Sequence, residues 1–253
     1  MRDKDLRASS NIDDRRGRPG MARGGLGIGA VLVLTLLGWA FGIDPAALIG
    51  GAEQVTGART QVTNEAPAQQ AAPEDEIGRF VARVLGETED VWSQILPQQA
   101  NRAYEAPVLV LFSGVTQSGC GAAQSAMGPF YCPLDRKLYL DTAFFQDMQR
   151  RMGGGGEFAY AYVIAHEVGH HVQNLVGLLP KVQAAQRGAE TGTANDLSVR
   201  TELMADCLAG VWANRMNARH GNLDQADLQQ ATTAAAAIGD DRLARAAGRS
   251  AVP

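Results

Sequence analysis

Apolar residues recur along this chain with a period that changes from stretch to stretch, and those changes outline its elements. Ile77, Phe80, Val81, Val84 and Leu85 fall at three-and-four spacing, which predicts an amphipathic helix. Pro73 and the acidic residues Glu74, Asp75 and Glu76 suit its start, and Gly86 is read as its break. A second short stripe, Val91, Trp92, Ile95 and Leu96, is expected to end at Pro97. Residues 107–112 form a short apolar run of strand length, and residues 137–141 alternate between polar and apolar. These predict two strands joined by a Gly- and Ser-rich loop. Residues 144–152 read as a short helix, and the glycines at 153–156 separate it from a longer helix running to about Val176, with Gly177 as its terminating residue. Residues 178–196 look irregular or partly helical. A further helix begins at about Leu197, and an Ala-rich one covers 224–248 with Leu228, Ile238 and Leu243 as core candidates. The fold class expected is α+β and mostly helical, with a small β-hairpin or sheet.

Upstream of residue 73 the pattern is different. Residues 24–43 are twenty residues without a charge, about 30 Å if helical, which is the thickness of a bilayer core. Residues 1–23 hold seven basic residues and four aspartates, a net of +3, leaving −7 for the rest of a chain whose total is −4. The positive-inside rule then predicts four parts. These are a cytoplasmic basic segment over 1–23, a single transmembrane helix over 24–43, a flexible linker over 44–73, and a domain over 74–253 lying outside the cytoplasm at the inner membrane. A cleaved signal peptide is the alternative, although the apolar run is longer than a typical signal core. The linker is assigned from its Ala, Gly, Gln and Thr content and its lack of a sustained apolar period.

Composition narrows the partners. With 20% charged and 45% hydrophobic residues the chain is ordinary for a globular protein, and no basic surplus points to nucleic acid. Three cysteines are too few for a disulfide scaffold, and their spacing is not that of a zinc ribbon. Cys120 and Cys132 would close a short loop on the side assigned to an oxidising compartment, so a disulfide is expected there. A nucleophilic Cys120 lacks a histidine in any recognisable order.

The chemistry concentrates at His166-Glu167-Val168-Gly169-His170. On a helix, residues four apart share a face, so both imidazoles can reach one metal ion. Glu167, about 100° round the helix, can act as general base without ligating. A catalytic zinc needs a third protein ligand. Glu202 and Asp206, again four apart, supply a carboxylate ligand and a hydrogen-bond acceptor for the second nitrogen of a ligand histidine. Small residues at Ala209, Gly210 and Ala213 would let this helix approach the first closely, while Met204, Cys207, Leu208, Val211 and Trp212 make a separate apolar side. His171 points elsewhere and is not counted as a ligand.

The chain resembles the putative neutral zinc metallopeptidases of bacteria, which are single-pass membrane proteins. The resemblance is carried by SSNIDDRRG at 9–17, SGCGAAQSAMGPFYCP at 118–133, YLD at 139–141, AYVIAHEVGHHVQNL at 161–175 and SVRTELMADCLAGVWA at 198–213. It implies a zincin-like domain that binds Zn2+ through His166 and His170, with Glu167 catalytic. The Glu202-x-x-x-Asp206 pattern also looks like that of gluzincins, supporting Glu202 as third ligand.

The expected activity is hydrolysis of a peptide or protein substrate, with Glu167 taking a proton from the attacking water and passing it to the leaving amine. His220, Tyr131 and Tyr139 are candidates for stabilising the oxyanion, His220 reading more readily as a helix-capping cation. The Tyr139 strand is a candidate edge for aligning an extended substrate. Two rivals are a non-catalytic zinc-stabilised membrane scaffold and a zinc amidase acting on cell-wall components. Oligomeric state and substrate identity are not encoded in any motif.

Overall fold

In the computed structural model the described residues are 1, 3–16, 73–124, 128–151, 156–221 and 223–238. The first helix among the described residues, α1 (Glu76–Ala100), starts where the Asp75 carboxylate accepts from the Gly78 amide, satisfying a free N–H of the first turn. It is one helix of 25 residues, not two short ones. Pro97 lies inside its last turn, and the helix stops at Asn101 in the left-handed region. Gly86 does not break it. A Cβ there would lie 2.1 Å from the Arg7 carbonyl oxygen. The glycine is a seat for another stretch of chain crossing the helix.

That stretch is the amino-terminal segment. The Ser9 amide donates to the Ala82 carbonyl (2.8 Å), and the Arg7 guanidinium to the Gly86 carbonyl (2.9 Å). The buried Glu89 accepts from Ser9, Asn11 and Arg7. Asp3 pairs with Arg83, and Arg16 with Asp75. The segment ends in a strand, β1 (Ile12–Asp14), that pairs in parallel with β2 (Val108–Phe112). Residues 1–16 therefore belong to the same compact unit as the chain from residue 73 onward. The expected division had set residues 1–23 apart from a domain beginning at residue 74, whereas residues 1–16 pack with that domain. The positive charges at Arg7, Arg15 and Arg16, read as the flank of a membrane span, are spent on ion pairs within the unit. The apolar run 24–43 and most of the linker 44–73 lie outside the described residues. No helix among the described residues is long and apolar enough to cross a membrane.

The remaining strands are β3 (Val115–Ser118), β4 (Gly121–Gln124), β5 (Phe130–Cys132) and β6 (Lys137–Asp141). One sheet has the order β1-β2-β6-β5, parallel until the antiparallel β6–β5 pair; β3 and β4 form a separate hairpin. Side chains alternate across the sheet. Leu109, Leu111, Leu138 and Leu140 join the main core, whereas Val110, Phe112 and Tyr139 form a smaller core with Ala123 and Cys132. Both faces of β2 are thus covered, which is why its sequence reads as a continuous apolar run. Cys132 of β5 is disulfide-bonded to Cys120 in the β3–β4 turn. Because β6 lies between β2 and β5, the Tyr139 strand is not an edge; Tyr139 donates to Asp135 at 2.6 Å.

The helices that follow are α2 (Ala143–Arg151), α3 (Glu157–Leu175), α4 (Leu178–Gln186), α5 (Thr191–His220) and α6 (Gln225–Ile238). Helix α5 begins six residues before the expected start at Leu197. It buries one stripe, Ala205, Ala209, Trp212 and Met216, and nothing before Ala205. Met204 and Cys207 are exposed, contrary to the apolar side predicted for them, and Leu228 on α6 is exposed instead of in the core. The described architecture is α+β and mostly helical.

Candidate metal centre

Helix α3 is apolar on most sides because it runs through the core, burying Phe158, Ala161, Val163, Ile164, Ala165, Val168 and Val172. The polar exceptions stand out against that background. His166 and His170, one turn apart, lie edge to face with ring centroids 4.9 Å apart. Helix α5 crosses α3 at Gly169, where a Cβ would come within 3.0 Å of the Ala205 carbonyl oxygen. This is the close approach expected from the small residues, although it falls at Ala205 and Ala209; a Cβ at Gly210 would meet nothing within 4 Å. It brings the Glu202 side chain over both imidazoles. Glu202 Oε2 lies 3.2 Å from His166 Nε2 and 3.3 Å from His170 Nε2.

The three donor atoms fit a metal of the expected kind. Tetrahedral zinc with bonds of about 2.0–2.1 Å has ligand atoms about 3.3 Å apart. The two Nε2–Oε2 separations match that edge, and all three donors lie within 4.8 Å of one another. Two imidazoles and one carboxylate are also the donor set of a catalytic site that keeps a position open. The side chains of His166, His170 and Glu202 keep 18%, 14% and 36% of their surface exposed, so the centre opens to solvent on one side. Glu167 is partly buried beside it.

Each imidazole is held from behind. His166 Nδ1 donates to Asp206 Oδ1 at 2.8 Å, and the Tyr162 hydroxyl donates to the same carboxylate. His170 Nδ1 donates to Gln173 Oε1 at 3.0 Å. Sequence reasoning missed Tyr162 and Gln173. The available signal was spacing alone: Tyr162 lies one turn before His166, and Gln173 three residues after His170, both within facing reach on a helix.

The electrostatics follow from these contacts. Burial works against charge on His166, but the bonds to Asp206 and Glu202 outweigh it and push its pKa up to about 10 in the metal-free protein. Burial disfavours the Glu202 carboxylate, yet the two histidines hold it down at about 2. Asp206 is likewise lowered, burial being overcome by His166 and Tyr162. Tyr162 is raised by burial and by its bond to Asp206.

The other candidates are engaged elsewhere. His171 donates from Nε2 to the Glu105 carbonyl (2.7 Å) and accepts at Nδ1 from the Tyr131 hydroxyl (3.0 Å). Tyr131 also accepts from Asn174. His220, in the last turn of α5, bonds Glu87 of α1 at 3.1 Å beside Arg219. None of the three oxyanion candidates is directed to the centre.

A family model described as "putative neutral zinc metallopeptidase" matches residues 1–253. The uncharacterized protein YpfJ of Escherichia coli K12 is 42% identical over 266 residues, spanning 100% of this chain and 88% of that protein. The uncharacterized protein Rv2575 of Mycobacterium tuberculosis H37Rv is 41% identical over 216 residues, spanning 80% of this chain and 70% of that protein. No solved structure matches the chain.

Proposed function

This chain belongs to the putative neutral zinc metallopeptidase family, and from that premise we propose that it is a zinc-dependent peptidase acting on peptide or protein substrates. The observation carrying this reading is the convergence of His166 Nε2 and His170 Nε2 on Glu202 Oε2, at 3.2 and 3.3 Å, beside Glu167. Zinc, when bound there, supplies Lewis acidity toward a water molecule and the scissile carbonyl. The two histidines offer Nε2 lone pairs because Asp206 and Gln173 hold the protons on Nδ1. Glu202 contributes a negative charge that completes the donor set. Glu167, next in sequence to a ligand and not one itself, takes the proton of the attacking water on its carboxylate and delivers it to the leaving amine.

Glu167→Gln keeps the shape and removes the base. The variant should retain one zinc per chain by metal analysis while cleavage of a mixed peptide library falls at least about 100-fold, the usual contribution of a positioned base. Undiminished cleavage with full zinc loading would sink the mechanism. Wild-type protein that binds zinc yet cleaves no peptide would favour a zinc-stabilised scaffold or an amidase with another substrate.

Membrane attachment through the apolar run 24–43 is part of the proposal, but not as a single crossing, which would put residues 1–16 and the chain from residue 73 onward on opposite sides. Since β1 and the metal centre share one folded unit, both lie on one side of the bilayer. The Cys120–Cys132 disulfide supports the oxidising, extracytoplasmic side. A membrane-impermeant thiol reagent applied to intact spheroplasts tests this, using the exposed Cys207 and a cysteine introduced at the exposed Asp5. Both should react together; labelling of one from outside and the other only after lysis would refute it.

A further inference from the structure

Gln173 is wholly buried, yet both ends of its side-chain amide are committed. Nε2 donates to the Thr201 carbonyl of α5 at 2.7 Å, and that carbonyl can only accept. The amide orientation is thereby fixed, so Oε1 faces His170 Nδ1 at 3.0 Å, and an oxygen there can only accept. The proton of His170 is consequently held on Nδ1, and the Nε2 lone pair is turned toward Glu202. Thr201 immediately precedes Glu202 in sequence. One neutral side chain thus orients the second histidine and pins the helix turn that carries the carboxylate.

We infer that Gln173 is a positioning residue that sets the zinc affinity of the centre by holding the His170 proton on Nδ1, while its separate bond to Thr201 joins the two ligand-bearing helices and supports the fold. The inference rests on the zinc reading proposed above. Its role differs from that of Asp206, which lies on α5 and orients His166 through a charge, its partners on α3 being the side chains of His166 and Tyr162. Outer contacts of this kind typically account for 10–100-fold in metal affinity.

The test measures zinc dissociation constants by chelator competition, alongside denaturant unfolding of the metal-free protein. Gln173→Met, close in size and lacking both polar ends, should weaken zinc about 10- to 100-fold. Gln173→Glu restores the acceptor for His170 and loses the donor for Thr201. It should hold zinc as well as wild type or better, because a carboxylate raises the basicity of a ligand histidine, while the metal-free fold becomes less stable. That separation is the signature of a positioning residue, and the Glu variant delivers it even where the Met variant does not fold. Zinc affinity falling in step with stability in Gln173→Glu, or unchanged in a folded Gln173→Met, would overturn the inference while leaving the zinc centre intact. Absence of zinc binding by the wild type would overturn both.

Discussion

His170 and His171 are adjacent on one helix, and about 100° of rotation sends them into opposite kinds of surroundings. His170 meets Glu202 and Gln173, is partly open to solvent, and has its pKa raised, its bond to Glu202 and the nearby carboxylates outweighing burial. His171 meets a hydroxyl and a backbone carbonyl, is 1% exposed, and is lowered, since burial outweighs the bond to Glu105. The first face of α3 looks to α5 and carries charge that a metal can use. The second face looks to β5 and the chain following α1, where Tyr131, Asn174 and Glu105 tie helix to sheet. The lesson concerns partners more than burial: both imidazoles lie in the interior, and only the one with carboxylate neighbours is arranged for chemistry.

The comparison breaks most sharply by removing one group from each face. Glu202→Ala should take zinc content from one per chain to near zero and peptide hydrolysis with it. His171→Ala should leave zinc content unchanged and destabilise the fold by about 2–4 kcal/mol, because a cavity opens and the Tyr131 hydroxyl and Glu105 carbonyl lose their partner. Metal analysis with urea unfolding reads both. Zinc loss in a folded His171→Ala protein, or retention of zinc by Glu202→Ala, would mean the faces are not divided in this way.

The metal-facing side was the more legible in sequence because its logic is helical spacing. Residues 166 and 170, and 202 and 206, are each one turn apart, and any helix stacks them. Which groups then touch from a different element was not written in any single stretch. Gly86 illustrates the limit: a glycine that ends a helix and one that admits a crossing chain look identical until Arg7 is found against it. The amino-terminal strand was hidden for a related reason. Ile12 is an isolated apolar residue among charges, and those charges beside an uncharged run read as a membrane flank. Their partners, Asp75, Glu89 and Asp90, lie some sixty to eighty residues away. Leu228 errs in the other direction, since an Ala-rich helix has too weak a period to say which side faces in.

A finer test uses the opposite pKa shifts on the two faces of α3. His171 is lowered in the folded state, so below its unfolded value of about 6.5 the unfolded chain binds more protons. Its contribution is complete above about pH 6.5 and is lost as pH falls toward the folded value. His166 in metal-free protein is raised to about 10, so the folded state binds more protons between about 6.5 and 10. Its contribution is complete below about 6.5 and is lost as pH rises through 10. Glu202, held at about 2, adds a loss only below about pH 4.5. Zinc-free protein should therefore be most stable near neutrality, with each one-proton slope no steeper than about 1.4 kcal/mol per pH unit. His171→Phe should flatten the decline between pH 6.5 and 5 and leave the alkaline one. Zinc must instead remove the alkaline decline, because the site's proton is displaced by the metal. Urea unfolding at pH 5, 6.5 and 9, with zinc and with chelator, gives both slopes. An alkaline decline that persists with zinc bound would show that the proton lost at high pH does not belong to the His166 face.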